Sequence, residues 1–325
     1  KGFGKPKRLD FSSTVDESRP STSTGSSNSM DVSIDYSLVS NDIVNRRFPV
    51  RLRNAGENVC FFNSICQLLY SIPIFLTYLD HINPEQFNLF NDDSTLNVFE
   101  RERKRKATNR INMLKNLFNR MKRATGTVQT SDCVQGFQLN GYEFRHQYDA
   151  QEALNEILLT CYPRYADENS NQHTFCIKYE ESIFCDRARG GCGANQNKPT
   201  YDQFLMFPVE ESDNYQTVDD ILIRSFGVEM PEGYMCNLGP HGGCQKQDTC
   251  TKSKTISKLG DVLIIQLMIY RNDGTKVRPN FLVCQRLDQY YLQGIIWHHG
   301  VGLNEGHYTS MVKHNGTMYH LSDAE

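Results

Sequence analysis

The sequence predicts an α+β protein, with its helices gathered in the first half and its strands in the second. Three observations carry this. Apolar residues recur at helical spacing in the stretches that begin at Phe61, Ile111 and Ala150. Beyond about residue 174 the period changes toward two, as in Phe175-Cys176-Ile177-Lys178-Tyr179 and Phe204-Leu205-Met206-Phe207. Leu259 through Leu267 reads as a continuous apolar run, expected to be a buried strand.

Composition narrows the class. The 325 residues hold one large domain or two ordinary ones. Apolar content is 38% and charged content 22%, polar enough to call for an unfolded tail. A net charge of −3 gives no field that points to nucleic acid. Eleven cysteines, an odd number with no signal peptide in front, indicate a reduced compartment, cytoplasmic and/or nuclear, where cysteines serve metal binding or catalysis. No apolar run reaches transmembrane length, so no membrane partner is expected. The chain begins at Lys1 and is expected to be an excerpt.

Residues 1–46, with Pro20-Ser21-Thr22-Ser23-Thr24 and Ser26-Ser27-Asn28-Ser29, carry too little apolar surface to offset ordering entropy. They are expected to be a disordered arm, either a plain linker or a phosphorylatable segment. Order is expected to begin near Phe48-Pro49-Val50-Arg51-Leu52. A polar turn, Asn54-Ala55-Gly56-Glu57-Asn58-Val59, then runs into Cys60, and Phe61, Ile65, Leu68 and Ile72 repeat at helical spacing until Pro73 stops the helix. Cys60 at a helix start meets unpaired N–H groups and the positive dipole end, which favour a thiolate. The alternative is a small buried hydrophobe.

Residues 96–123 read as a helix with one packed face, formed by Ile111, Leu114, Leu117, Phe118 and Met121. Its basic run, Arg101 to Lys106, is either a solvated face or a nucleic-acid or nuclear-address patch. Ala150, Ala153, Leu154, Ile157, Leu158 and Cys161 give another amphipathic helix, with Asp149 placed to cap it. Among the strands, Cys185…Gly190-Gly191-Cys192 and Cys236…Gly242-Gly243-Cys244 are two turns of one kind, each closed by Gly-Gly-Cys. Together they point to a tetrahedral zinc site drawn from two hairpins, although six and seven residues intervene where a knuckle has two. His241 and Cys250 are spare ligands, and free thiols or a site without metal are the alternatives. A turn at Asn272-Asp273-Gly274 starts a hairpin. Tyr290 to Trp297 and Tyr308 to Val312 read as strands, with Gly306-His307 between them. A histidine at the mouth of a hairpin, far in sequence from a helix-start cysteine, fits a cysteine-protease dyad.

At this point the chain resembles the ubiquitin-specific proteases, deubiquitinases of the papain-like cysteine-peptidase type. Asn54 to Ser64 resembles that family's cysteine box, and Gly306-His307-Tyr308 through Tyr319-His320-Leu321-Ser322-Asp323 its histidine box. His146 to Leu159 resembles the family's Gln-Asp-Ala-x-Glu-Phe helix, with Tyr148 inserted and Ala153 in place of Phe. The likeness spans roughly residues 47–325. It implies a helical thumb lobe (about 47–170) and an antiparallel β palm with a β fingers extension (about 171–325), the last strand being truncated at Glu325.

The resemblance also implies the chemistry. Cys60 is the nucleophile and His307 the base; Ser322 stands where the family orients the histidine, and Asp323 beside it supplies charge. Asn54, with the N–H of Cys60, is the oxyanion donor, unless Asn54 only shapes the turn; Asn58 keeps the offset of a second Asn. Cys185, Cys192, Cys236 and Cys244 match a four-cysteine zinc ribbon in the fingers, and catalysis takes no cofactor. The partner is ubiquitin or a ubiquitinated protein, bound by a monomer, with Asp149 and Glu152 contacting ubiquitin's basic tail. Two departures keep a second reading open, a catalytically impaired ubiquitin-binding scaffold. The cysteine box is one residue longer than usual, and Ser322 stands where the family more often has Asp or Asn.

Overall fold

A computed structural model describes residues 48–83, 98–143, 145–163, 174–209, 211, 216–226, 228–239, 242–271, 273–302 and 305–323. The expected arm at 1–46 and the spare ligand His241 lie outside the described residues.

The first half is helical. Helix α1 spans Cys60–Tyr70, α2 Pro73–His81, α3 Val98–Arg123, α4 Ser131–Phe137 and α5 Ala150–Cys161. In α1 Phe61, Phe62 and Ile65 are fully buried and Leu68 only partly. The helix ends at Tyr70, short of Pro73, because Ser71 N–H turns back to Leu68 O at 3.0 Å. Pro73 then opens α2 at its first position, where a missing N–H costs nothing. In α3 Ile111, Leu114, Leu117 and Met121 have no exposed surface, whereas the basic run lies at the surface before the packed half. Asp149 caps α5, its Oδ1 accepting the N–H of Gln151 at 2.7 Å and of Glu152 at 3.1 Å. One apolar core joins α1 to α5 and takes in Phe175 and Phe204.

The second half is built of short strands: β1 Ile177–Cys185, β2 Asn195–Asp202, β3 Leu205–Pro208, β4 Gln216–Thr217, β5 Val228–Glu229, β6 Cys250–Leu259 and β7 Ile265–Met268. They continue as β8 Phe281–Leu282, β9 Arg286–Leu287, β10 Tyr290–Tyr291, β11 Gly294–His299, β12 His307–His314 and β13 Thr317–Leu321. Helix α6, Val218–Ser225, lies between β4 and β5. An antiparallel sheet of order β2-β1-β6-β5 forms the extension, with Cys185 opposite Cys250. A second antiparallel sheet, β11-β12-β13, places His299 opposite His307. The pairs β3–β7 and β4–β8 are parallel. Ile177, Tyr179, Leu205, Phe207 and Leu222 form a separate core here.

Two expectations are corrected. Leu259 to Leu267 is not one buried strand. Leu259 closes β6, the chain turns at Gly260-Asp261, and β7 starts at Ile265 with only partly buried residues. The turn is held by Val262 N–H on Thr174 O at 2.8 Å and by the Tyr290 hydroxyl on Gly260 O at 2.6 Å. Likewise Tyr290 to Trp297 divides into β10 and β11. The hairpin turn is present: Asp273 Oδ1 accepts the N–H of Thr275 at 2.9 Å, and Gly274 has φ +81°.

The sheet β11-β12-β13 lies against α1. A Cβ on Gly294 would stand 2.4 Å from Leu68 Cδ1 and 2.6 Å from Met311 O, so only glycine lets β11 approach α1 this closely. Gln293 Nε2 fastens the same junction, donating to Ser71 O at 3.0 Å and Lys313 O at 2.7 Å.

Candidate active site

The turn before α1 sets the position of Cys60. Asn54 Oδ1 accepts the N–H of Val59 at 2.9 Å, so its oxygen shapes the turn while its NH2 group remains a donor. Gly56 (φ +69°) and Asn58 (φ +52°) take left-handed backbone, which Gly and Asn tolerate best. Asn58 Nδ2 donates to Arg145 O at 2.6 Å, so this residue holds the longer box in place.

Cys60 opens α1 and is 4% exposed. Burial is the largest influence on its thiol and pushes its pKa above the ordinary 9.0. The N–H of Tyr308 pulls the other way, the negative charge of Asp323 adds to the rise, and the N–H groups of Phe61 and Cys60 oppose it. The helix-start field that favours a thiolate is present, and burial is the larger influence on the sulfur.

His307 begins β12, so the N–H that reaches the sulfur belongs to the next residue. The ring's Nε2 stands 3.0 Å from Ser322 Oγ and 3.5 Å from Asp323 Oδ1. Among the described residues no hydrogen bond joins the sulfur to this ring, and the Nδ1 edge carries no partner. The Asp323 side chain is 5% exposed, and burial raises its pKa above 3.8. A hydrogen bond from Asn63, the charge of His307 and the amide of Asn54 oppose that rise. Asn54, Asn63, Gln67, Ser310, Ser322 and Asp323 share the lining of one cleft of about 810 Å³.

Contacts not expected from sequence fix the approach to His307. Gln147 Nε2 donates to Gly306 O at 2.5 Å. A Cβ on Gly306 (φ +146°) would meet His299 O at 2.1 Å and His298 Nε2 at 2.4 Å, so only glycine fits. The Tyr308 hydroxyl donates to Asp149 Oδ2 at 3.3 Å and joins the cap of α5 to the histidine strand. Neither contact follows from local pattern, since both partners lie far apart in sequence.

In the extension, Cys185, Cys192, Cys236 and Cys244 bring their sulfurs within 4.8 Å of one another. The pairs Cys185–Cys244 and Cys192–Cys236 are 3.7 and 3.8 Å apart. Four thiolates about 2.3 Å from a tetrahedral zinc stand about 3.8 Å apart, so this donor set fits the metal. The paired glycines follow from the same geometry. A Cβ on Gly191 would lie 2.4 Å from Cys185 Sγ, and one on Gly243 2.8 Å from Cys236 Sγ. Cys250 is buried against this cluster but is not one of the four.

A family model described as ubiquitin carboxyl-terminal hydrolase matches residues 50–325. Ubiquitin carboxyl-terminal hydrolase 25 of Arabidopsis thaliana is 26% identical over 316 residues, 85% of this chain and 44% of that protein. The chain thus spans less than half the length of this curated relative. The fold is similar to that in the SAGA Ubp8/Sgf11/Sus1/Sgf73 DUB module bound to ubiquitin aldehyde, with TM-score 0.62 and 17% identity over 86% of this chain and 66% of that one. The module bound to monoubiquitin gives TM-score 0.63 and 20% identity over 86% and 65%.

Proposed function

The chain belongs to the ubiquitin carboxyl-terminal hydrolase family, and from that premise we propose that it is a thiol-dependent deubiquitinase acting at the C-terminal glycine of ubiquitin. The observation that carries the reading is one junction. The buried sulfur of Cys60 meets the N–H of Tyr308, beside a histidine whose Nε2 is backed by Ser322 and Asp323.

The reaction follows from that junction. With Nε2 engaged, His307 takes the thiol proton of Cys60 at Nδ1, and the sulfur attacks the glycine carbonyl carbon. The oxyanion is received by the N–H of Cys60 and the amide of Asn54. His307 then returns the proton to the departing amine, the C–N bond breaks, and a thioester remains on Cys60. Water, deprotonated by His307, attacks the thioester and releases the ubiquitin carboxylate and the thiol. Ser322 and Asp323 hold the ring and support its charged form. The four cysteines of the extension would hold a structural zinc that stiffens the surface offered to ubiquitin, outside the chemistry. Asp149 and Glu152 are the acidic groups we assign to ubiquitin's basic tail.

A ubiquitin vinyl-sulfone probe is expected to label the wild type and to leave Cys60→Ala untouched; equal labelling of both rejects the assignment. A second reading, a ubiquitin-binding scaffold, draws on the missing hydrogen bond between the sulfur and the His307 ring. Binding of ubiquitin without cleavage of a fluorogenic ubiquitin substrate would decide for it.

A further inference from the structure

The nucleophile's helix carries a polar side chain to which the mechanism above gives no role. Asn63 lies one turn beyond Cys60 and is 2% exposed, an expensive place for a carboxamide unless its hydrogen bonds are made. They are made to three distant segments. Nδ2 donates to Asp323 Oδ2 at 2.6 Å and to Arg53 O at 3.1 Å. Oδ1 accepts the hydroxyl of Thr130 at 2.5 Å, and Thr130 has no exposed surface. The amide has only one workable orientation. A carboxylate and a carbonyl can only accept, so both require the NH2 end, and the Thr130 hydroxyl is left to serve the oxygen. Turned over, the amide would set its oxygen against two acceptors.

The clamp has a direction. It holds Oδ2 of Asp323, while Oδ1 is buried without a hydrogen-bond partner and stands 3.5 Å from His307 Nε2. With one oxygen fixed, the other can only face the imidazole. We propose that Asn63, oriented by Thr130, is a positioning residue that aims Asp323 at His307 and so ties the helix of the nucleophile to the strand of the base. The role in turnover rests on the hydrolase reading; the role in setting the imidazole's environment does not. Burial opposes the ionised form of Asp323, and the Asn63 hydrogen bond is the largest influence against that.

The test uses the full chain and the near-isosteric variants Asn63→Leu and Thr130→Val. On a fluorogenic ubiquitin substrate, Asn63→Leu is expected to lower kcat roughly 10- to 100-fold per labelled active site, the scale of a misplaced catalytic group, with KM little changed. Thr130→Val should fall in the same direction by less. In an Asp323→Asn background, Asn63→Leu should add nothing, because it acts through the group already neutralised. Full additivity of the two, or an unchanged kcat per active site with only a lowered Tm, overturns the proposal. A second readout needs no ubiquitin. The ring proton and nitrogen NMR signals of His307 should change in Asn63→Leu and Thr130→Val, since the carboxylate is no longer held against Nε2. Unmoved ring signals overturn the proposal even where the wild type fails to cleave ubiquitin, an outcome that would instead remove the hydrolase reading. Thr130→Val carries the test if Asn63→Leu does not fold.

Discussion

At Cys60 two influences meet on one atom and oppose each other. The helix start and three backbone N–H groups favour charge on the sulfur; burial and Asp323 disfavour it, and burial is the larger. The base must therefore do more than orient a ready-made thiolate. In His307→Ala, alkylation of Cys60 by iodoacetamide at neutral pH is expected to be slower than in the wild type, where the proposed base can take the proton from a thiol whose own pKa burial raises. Equal rates in the two proteins would remove His307 as the base. Asp323 is the second buried acid, and its sign is the same. Its folded pKa lies above 3.8, so its contribution to stability is present below that pH and is lost as pH rises through the folded value. At neutral pH the ionised carboxylate is a cost the fold carries for the site. Asp323→Asn should therefore gain in Tm over the wild type more at neutral pH than in acid while losing turnover. Calorimetric scans at both pH values check the first part and steady-state kinetics the second. The residues proposed as nucleophile and base stand out in sequence because each sits in a local pattern, a helix start and a hairpin mouth. The burial of the Cys60 sulfur does not, because it is set by segments remote in the chain.

Among the elements, the extension shows how a sequence motif follows from packing. Gly191 and Gly243 precede the closing cysteines because a side chain at either would run into the first cysteine's sulfur. Gly243 also has φ +69°. If the proposed zinc is present, the isolated protein should contain one zinc per chain by elemental analysis, and Cys236→Ser should lack it. That variant should raise KM for ubiquitin and leave the rate of Cys60 alkylation unchanged, since the cluster lies in a separate element; a changed alkylation rate would place the metal's influence inside the site. The thumb offers a contrast. The helical period of Ile111 to Met121 announced α3, yet no local pattern gave Arg110 a role. In the fold its guanidinium is buried and donates to Phe137 O, to Gln138 O at 2.7 Å and to Glu156 Oε2 at 2.9 Å, joining α3, α4 and α5. Arg110→Ala leaves a carboxylate and two carbonyls without that partner, and urea unfolding should show a loss of roughly 3 kcal/mol or more. Replacement of the exposed Arg103 should cost little by comparison.

Across the whole molecule, the proposed catalysis needs two lobes in register, because Cys60 stands on α1 of one and His307 on β12 of the other. The sequence separated these lobes through the change of period near residue 174, but pattern alone did not tell how they are joined. The joints are side-chain bonds between distant residues: Asn63 to Asp323, Gln147 to Gly306, Tyr308 to Asp149, and Gln293 to Ser71. Apolar contact reinforces them, since Ile296 and Tyr308 of the palm pack on the thumb core. The second core, around Ile177 and Leu205, is separate, so unfolding in two steps is an available alternative. Two signals distinguish the outcomes. Far-UV circular dichroism follows the helices, which are concentrated in the thumb. The chain's single tryptophan, Trp297, lies on β11 and is 43% exposed, so its fluorescence follows the palm. If the joints couple the lobes, the two urea transitions coincide in the wild type, as a cooperative unit requires. Gln293→Ala removes the donor to Ser71 O and Lys313 O, and should bring the fluorescence transition to lower urea than the helical one. Transitions already separate in the wild type would mean that the palm can open away from the thumb, and that the spacing between Cys60 and His307 varies in solution.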